Sequence, residues 1–176
     1  MVQRILCPTD LTANSEGGVA YALALARRNG AQLIVFHAAS FPSLIQYPCE
    51  LEPYSHWEQW LSKFKMDQLL TEAEAEVSHF MSARFGAEIN DVAWKPRAAL
   101  GRVAEEIVAA AVQEETDLIV MARRRRGILA RVLSRSTSEA VSRKAPCPVL
   151  SIYPTQIVRS PRGWRLPAFG QIAQSS

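Results

Sequence analysis

The chain has 176 residues, 48% of them hydrophobic and 21% charged, and carries a net charge of +3. That length suits one domain with a real core plus some extra chain, and the composition is that of an ordinary globular protein. So small a net charge does not by itself indicate nucleic acid or an anionic membrane as a partner, and no apolar run approaches the roughly 20 residues a membrane span needs.

Five short apolar runs are the expected strands: Val2–Cys7, Gln32–Ala38, Glu88–Trp94, Asp117–Met121 and Pro148–Tyr153. Segments such as LIVFHA and DLIVM are near-continuous and rich in β-branched residues. That pattern suits strands covered on both faces, as in a parallel sheet. Helical spacing of apolar residues fills the gaps over Ser15–Asn29, Trp57–Phe85, Arg102–Glu115 and Ser136–Lys144. Gly30 stands as a C-terminal stop for the first helix, and Asn14 or Ser15 as its cap. Strands alternating with helices predict an α/β fold with right-handed crossovers and helices on both faces of the sheet.

Two segments fall outside that rhythm. Phe41–Ser55 is a long, proline-bearing connection, readable as a lid or binding loop or as a segment packed on the domain or a partner. Residues 1–154 form the expected domain, and 155–176 an extension without a core of its own. Trp164, Leu166 and Phe169 suggest that part of this extension docks. The three cysteines, Cys7, Cys49 and Cys147, show neither a disulfide framework nor metal-ligand spacing. Cys7 and Cys147 read as buried, inert thiols. The N-terminus MVQRILCPTD does not read as a signal peptide, and the expected location is the cytoplasm.

In an open parallel sheet, ligands gather at the carboxyl ends of the strands where strand order reverses. The first such end here is CPTDLTANSE. Asp10 lies at the strand exit, able to accept from a ligand's hydroxyl or amino group, or to satisfy loop amides. The fourth strand opens into MARRRRGILARVLSRSTSEAV, and Ser136–Glu139 matches a capping box at a helix start, a ready anion site. His37 stands at a strand end and reads as packed; His56 and His79 show no ligand spacing. No nucleophile–base pair, paired carboxylates or metal cluster emerges, so no catalytic or metal-binding residue is assigned.

The opening RILCPTDLTANSEGGVAYALALARRNGAQLIVFHA, the segment LGRVAEEIVAAAVQEETDLIVMA and the closing STSEAVSRKAPCPVLSIY together resemble the universal stress protein family across Val2–Tyr153. The resemblance implies a Rossmann-like, open, five-stranded parallel sheet of order 3-2-1-4-5. It also implies a homodimer formed largely through the last strand, Pro148–Tyr153. One branch of that family holds ATP through Gly, two residues, Gly, nine residues, then Gly-Ser or Gly-Thr. Set on this chain, the glycine positions fall on Ala122, Arg125 and Arg135, and only Ser136 survives. Pro8, Thr9 and Asp10 match the family's edge for adenine and ribose, Ala38 a backbone position beside the base, and Ser136 and Thr137 the phosphate end.

Arginine at two cradle positions puts long side chains where a triphosphate needs bare main chain, and disfavours left-handed backbone by about 1–2 kcal/mol. The sequence therefore predicts a stress-response binding module, not an enzyme, that does not bind ATP tightly and meets protein partners. A regulator that binds ATP, ADP or AMP with slow hydrolysis is the alternative. The cluster Arg123–Arg126, with Arg131 and Arg135, reads either as a solvated basic loop or as forks for a phosphate-bearing small molecule. Nucleic acid is the weaker candidate for it, because the stretch lacks aromatic residues for base stacking.

Overall fold

The computed structural model describes residues 1–39, 63–122, 137–153, 158–160 and 163–165. Seven strands and four α-helices run along them: β1 (Arg4–Pro8), α1 (Ala13–Asn29), β2 (Gln32–Ala39), α2 (Lys63–Phe85), β3 (Trp94–Leu100), α3 (Val103–Gln113), β4 (Leu118–Ala122), α4 (Thr137–Lys144), β5 (Val149–Ile152), β6 (Val158–Ser160) and β7 (Gly163–Arg165). The main sheet has five strands in the order β3-β2-β1-β4-β5, and each neighbouring pair is parallel. The expected order and fold class are thus found. Phe41–Ser55, His56 and Arg123–Ser136 lie outside the described residues.

Alternation along the strands divides the core in two. Ile5, Cys7, Leu33, Val35 and Val120 face α1 and α2, meeting Val19, Leu23, Val77 and Met81. Their neighbours Leu6, Ile34, Phe36, Ile119 and Met121 face α3 and α4, meeting Ile107, Ala111 and Val141. Both sheet faces are therefore covered, which is why these strands read as continuous apolar runs. Cys7 lies fully inside, and burial pushes its thiol up to about 12, so it stays protonated and unreactive.

α1 is rich in alanine and leucine, the strongest helix formers. Its first turn carries Glu16 and its last turn Arg27 and Arg28, each sign matched to the helix dipole. Gly30 ends it at φ 63°, a left-handed geometry that glycine adopts without strain. The start differs from expectation. Neither Asn14 nor Ser15 caps the helix; Thr12, in extended conformation, accepts from the Asn14 amide. Asn14 and Ser15 already belong to the helix.

The third strand also differs. It is Trp94–Leu100, not Glu88–Trp94, and Gly86–Ile89 forms a 3-10 turn. Ile89 and Val92 do reach the core, but from turns that precede the strand. Pro96 sits within the strand because β3 is an edge. Leu33 donates its amide to the Ala93 carbonyl, and Gly101 donates to Ala39. Odd-numbered residues of β3 therefore point their polar groups at β2, and the missing N–H of Pro96 falls on the open side.

The C-terminal extension contributes the antiparallel hairpin β6–β7, which was not expected. Trp164 in β7 stacks on Phe85 with ring centroids 5.9 Å apart, and Phe85 meets Phe80 edge-on at 6.0 Å. This aromatic row extends the core between sheet and helices. Phe85 ends α2, so Trp164 docks toward the amino ends of the strands, away from the carboxyl-end crevice. Among the described residues, no helix is long and apolar enough to cross a membrane.

Candidate functional site

The order β3-β2-β1-β4-β5 reverses its winding beside β1: α1 leads from β1 across one face, and α3 leads to β4 across the other. A crevice opens at such a reversal, above the carboxyl ends of β1 and β4. The expected residues collect along its rim. Pro8 is the last residue of β1 and half-buried; Thr9 and Asp10 follow it; Ala38 is the penultimate residue of β2; Ala122 ends β4; Thr137 heads α4 and is exposed. Arg125 and Ser136 lie outside the described residues, so the capping box Ser136–Glu139 does as well.

Thr9 continues the ladder by one bond, its amide donating to Phe36 at 2.8 Å. Its hydroxyl is buried and lies 2.8 Å from the Ser15 hydroxyl. Direction follows from the partners. The Ser15 hydroxyl donates to the Thr12 carbonyl at 2.9 Å, so the Thr9 hydroxyl must donate to Ser15. The Leu11 amide then donates to the Thr9 oxygen at 3.0 Å. The result is a one-way relay from Leu11 through Thr9 and Ser15 to Thr12.

Asp10 has a comparable role. Its Oδ1 accepts from the Thr12 amide at 3.1 Å and from the Thr12 hydroxyl at 2.6 Å. These bonds hold a tight turn in which Leu11 takes φ 58°. A left-handed leucine costs about 1–2 kcal/mol, and the hydrogen bonds of Thr9 and Asp10 offset it. The Thr9 hydroxyl and Asp10 Oδ1 are thus engaged in building the turn.

His37 fastens the same turn from β2. Its Nδ1 lies 2.9 Å from the Thr9 carbonyl, which can only accept, so Nδ1 carries the proton. The expected packed role becomes, in the structure, a hydrogen bond from a half-buried ring to the loop. In the neutral ring, Nε2 is left as an acceptor. Glu16, one turn into α1, is buried, with Oε1 3.1 Å from Arg84 Nη1, an ionic contact without the alignment of a hydrogen bond. Among the described residues, no group of three or more His, Cys, Asp or Glu side chains could hold a metal.

Ala122 is half-buried and is not among the residues with positive φ, so alanine occupies the family's first glycine position without backbone strain. Sequence reasoning missed its neighbour across the crevice wall, Gly18 in α1. It also missed Thr12, although an Asp followed two residues later by Thr at a strand exit is the signal of an Asx turn leading into a helix.

Comparison with known proteins agrees with this geometry. The model of the universal stress protein family matches residues 1–152. A universal stress protein of Thermus aquaticus, encoded in a sulfhydrylase 3' region, is 29% identical over 154 residues, 86% of this chain and 99% of its own length. Among solved structures, UspA of Lactobacillus plantarum superimposes with a TM-score of 0.60 at 23% identity, covering 86% of this chain and 97% of its own. A universal stress protein solved in complex with cAMP gives a TM-score of 0.58 at 20% identity, covering 86% and 96%. With its sheet order, its crevice and a family match over residues 1–152, the chain belongs to the universal stress protein family.

Proposed function

We propose that this chain is a cytoplasmic, homodimeric, non-catalytic regulatory module of the stress response, which works by binding protein partners and does not hold ATP tightly. The observation that carries this reading is the self-satisfied turn at the crevice. The Thr9 hydroxyl proton goes to Ser15, and Asp10 Oδ1 already accepts two bonds from Thr12. A nucleotide gains little from polar groups already occupied within the protein, because each new bond must replace one that exists. The sequence adds arginine at positions 125 and 135, where the family's ATP-binding branch has glycine. At about 1.4 kcal/mol per tenfold, modest strain and a few lost amide contacts weaken binding a hundredfold or more.

In this reading the dimer forms through β5. Ile119 donates its amide to the Pro148 carbonyl, so even-numbered residues of β5 face β4. The N–H and C=O groups of Val149 and Ser151 then point outward, and no described strand pairs with them. A second copy can cover that edge. The decisive experiment is extraction of nucleotide from the purified protein. No bound ATP is expected; release of stoichiometric ATP overturns the reading.

A second reading is an adenine-nucleotide regulator with at most slow hydrolysis. It is favoured by the residues that the resemblance sets beside the base, Pro8 and Ala38, which lie at the carboxyl ends of β1 and β2, and by the fold relative solved with cAMP. A phosphate-bearing ligand would then meet Thr137 and the basic stretch Arg123–Arg126. Calorimetric titration with ATP, ADP and AMP tests it, and silence of all three at millimolar concentration removes it.

A further inference from the structure

Gly18 lies buried in the second turn of α1, and it faces the residue at which β4 ends. A Cβ placed on it would stand 2.9 Å from the Ala122 amide nitrogen and 3.0 Å from the Ala122 Cβ. The first is closer than real Cβ atoms come, and it is to main chain that cannot rotate away; the second is tight enough that the neighbour must give by a few tenths of an ångström. A glycine inside a helix is less stable than alanine there, because its backbone loses more freedom on folding. The helix bears that cost where its backbone touches the exit of β4.

We propose that Gly18 is a positioning residue for the crevice, and that its missing Cβ is what lets α1 pack against the main chain at the exit of β4. The proposal rests on the reading of the β1 and β4 exits as the ligand-facing end of the fold. One turn before Gly18, Ser15 closes the relay that begins at Leu11 and Thr9. The Gly18–Ala122 contact therefore couples the Thr9–Thr12 turn to the point where β4 delivers the chain into the arginine-bearing stretch. A methyl on residue 18 must push α1 and the β4 exit apart, and Ser15 and Thr12 move with the helix.

Four proteins test this: the wild type, Gly18→Ala, Ala122→Gly, and the double variant. Overpacking by one methyl lowers the melting temperature of Gly18→Ala by roughly 4–8 °C. The double variant recovers part of the loss, because the Cβ–Cβ contact is gone while the contact with the residue 122 amide remains. The positioning role is read from the amide NMR resonances of Thr9, Asp10, Leu11 and Thr12. They shift in Gly18→Ala and return toward wild type in the double variant. Val77→Ala, which opens a hole in the buried face of α2, destabilises the protein yet leaves those amides in place.

Titration with AMP separates this inference from the reading beneath it. Where the wild type binds AMP, Gly18→Ala weakens binding severalfold and the double variant restores part. Where the wild type does not bind AMP, the nucleotide reading falls, and the amide shifts still decide the coupling. Strictly additive melting temperatures, or unmoved amides, overturn the proposal. A Gly18→Ala chain that fails to fold beside a double variant that folds supports it; failure of both overturns it.

Discussion

The two edges of the sheet are built on opposite terms. At β3 the sequence KPR places Lys95, Pro96 and Arg97 in a row, and the proline presents a missing donor to the open side. Glu114, at the end of α3, holds both cations: its carboxylate oxygens lie 2.6 Å from Lys95 Nζ and 2.6 Å from Arg97 Nε. Arg97 also reaches Glu74 on α2 at 3.6 Å. At β5 the sequence is VLSI, uncharged, half-buried over Val149–Ser151 and buried at Ile152, with the main chain of Val149 and Ser151 directed outward. One edge refuses a further strand and the other offers to accept one. That asymmetry limits a sheet-extending dimer to a single, isologous contact, because two open edges would make an endless ribbon.

The largest effect comes from moving the β3 device to β5. Ser151→Pro removes an outward N–H from the open edge and leaves the bonds to β4 in place, since residue 151 does not face β4. Loss of that donor, with the ring intruding on a partner strand, weakens self-association by orders of magnitude. Light scattering at micromolar concentration is expected to show a dimer for the wild type and a monomer for the variant. A wild-type monomer, or a variant that remains dimeric, breaks the assignment of the dimer to β5.

Next in size is Glu114→Ala, which strips the guard from the other edge. Lys95 and Arg97 then lose their shared partner, while Arg97 is already substantially exposed, so solvent screens part of the loss. About 1 kcal/mol is expected, seen as a fall of roughly 2–4 °C in the melting temperature. Lys95, and Arg97 still beside Glu74, go on repelling a second copy, so the dimer is expected to persist without higher assemblies. Filaments or larger oligomers would show that the charges acted through Glu114 and not by repulsion.

These edges also show what a sequence discloses and what it hides. The parallel sheet was legible because each strand of its interior is a buried apolar run, and the strand order because three stretches together resemble one family. The third strand was misplaced for a physical reason: a strand carrying Lys-Pro-Arg looks like a loop unless it is known to be an edge, and Ile89 and Val92 supplied a false apolar cue. At the crevice, Pro8, Thr9, Asp10, Ala38 and Ala122 were named from the family resemblance. Their engagement in the turn was not, because it depends on Ser15 and Thr12 folding back upon them. Gly18 was hidden most completely, since its meaning depends on a residue more than a hundred positions away.

The smallest effect is a pH dependence that belongs to the β3 edge alone. Burial raises the Glu114 carboxyl, but hydrogen bonds from Lys95 and Arg97, with their charges, outweigh it and hold the group below the usual carboxylate range. A carboxyl with a depressed folded value stabilises the protein fully above its unfolded value of about 4.3, and that contribution fades as pH falls through the lower folded value. Asp117 is also depressed, chiefly by the amides of Gln3 and then Arg4, so the wild-type acid limb alone is ambiguous. The difference between wild type and Glu114→Gln isolates one group. Denaturant midpoints of the two proteins are expected to differ by a constant amount from pH 7 to about 4.3, then to converge in more acidic solution. A difference that survives to pH 2 would mean that Glu114 acts through packing, and that the charge of β3 is not what distinguishes it from β5.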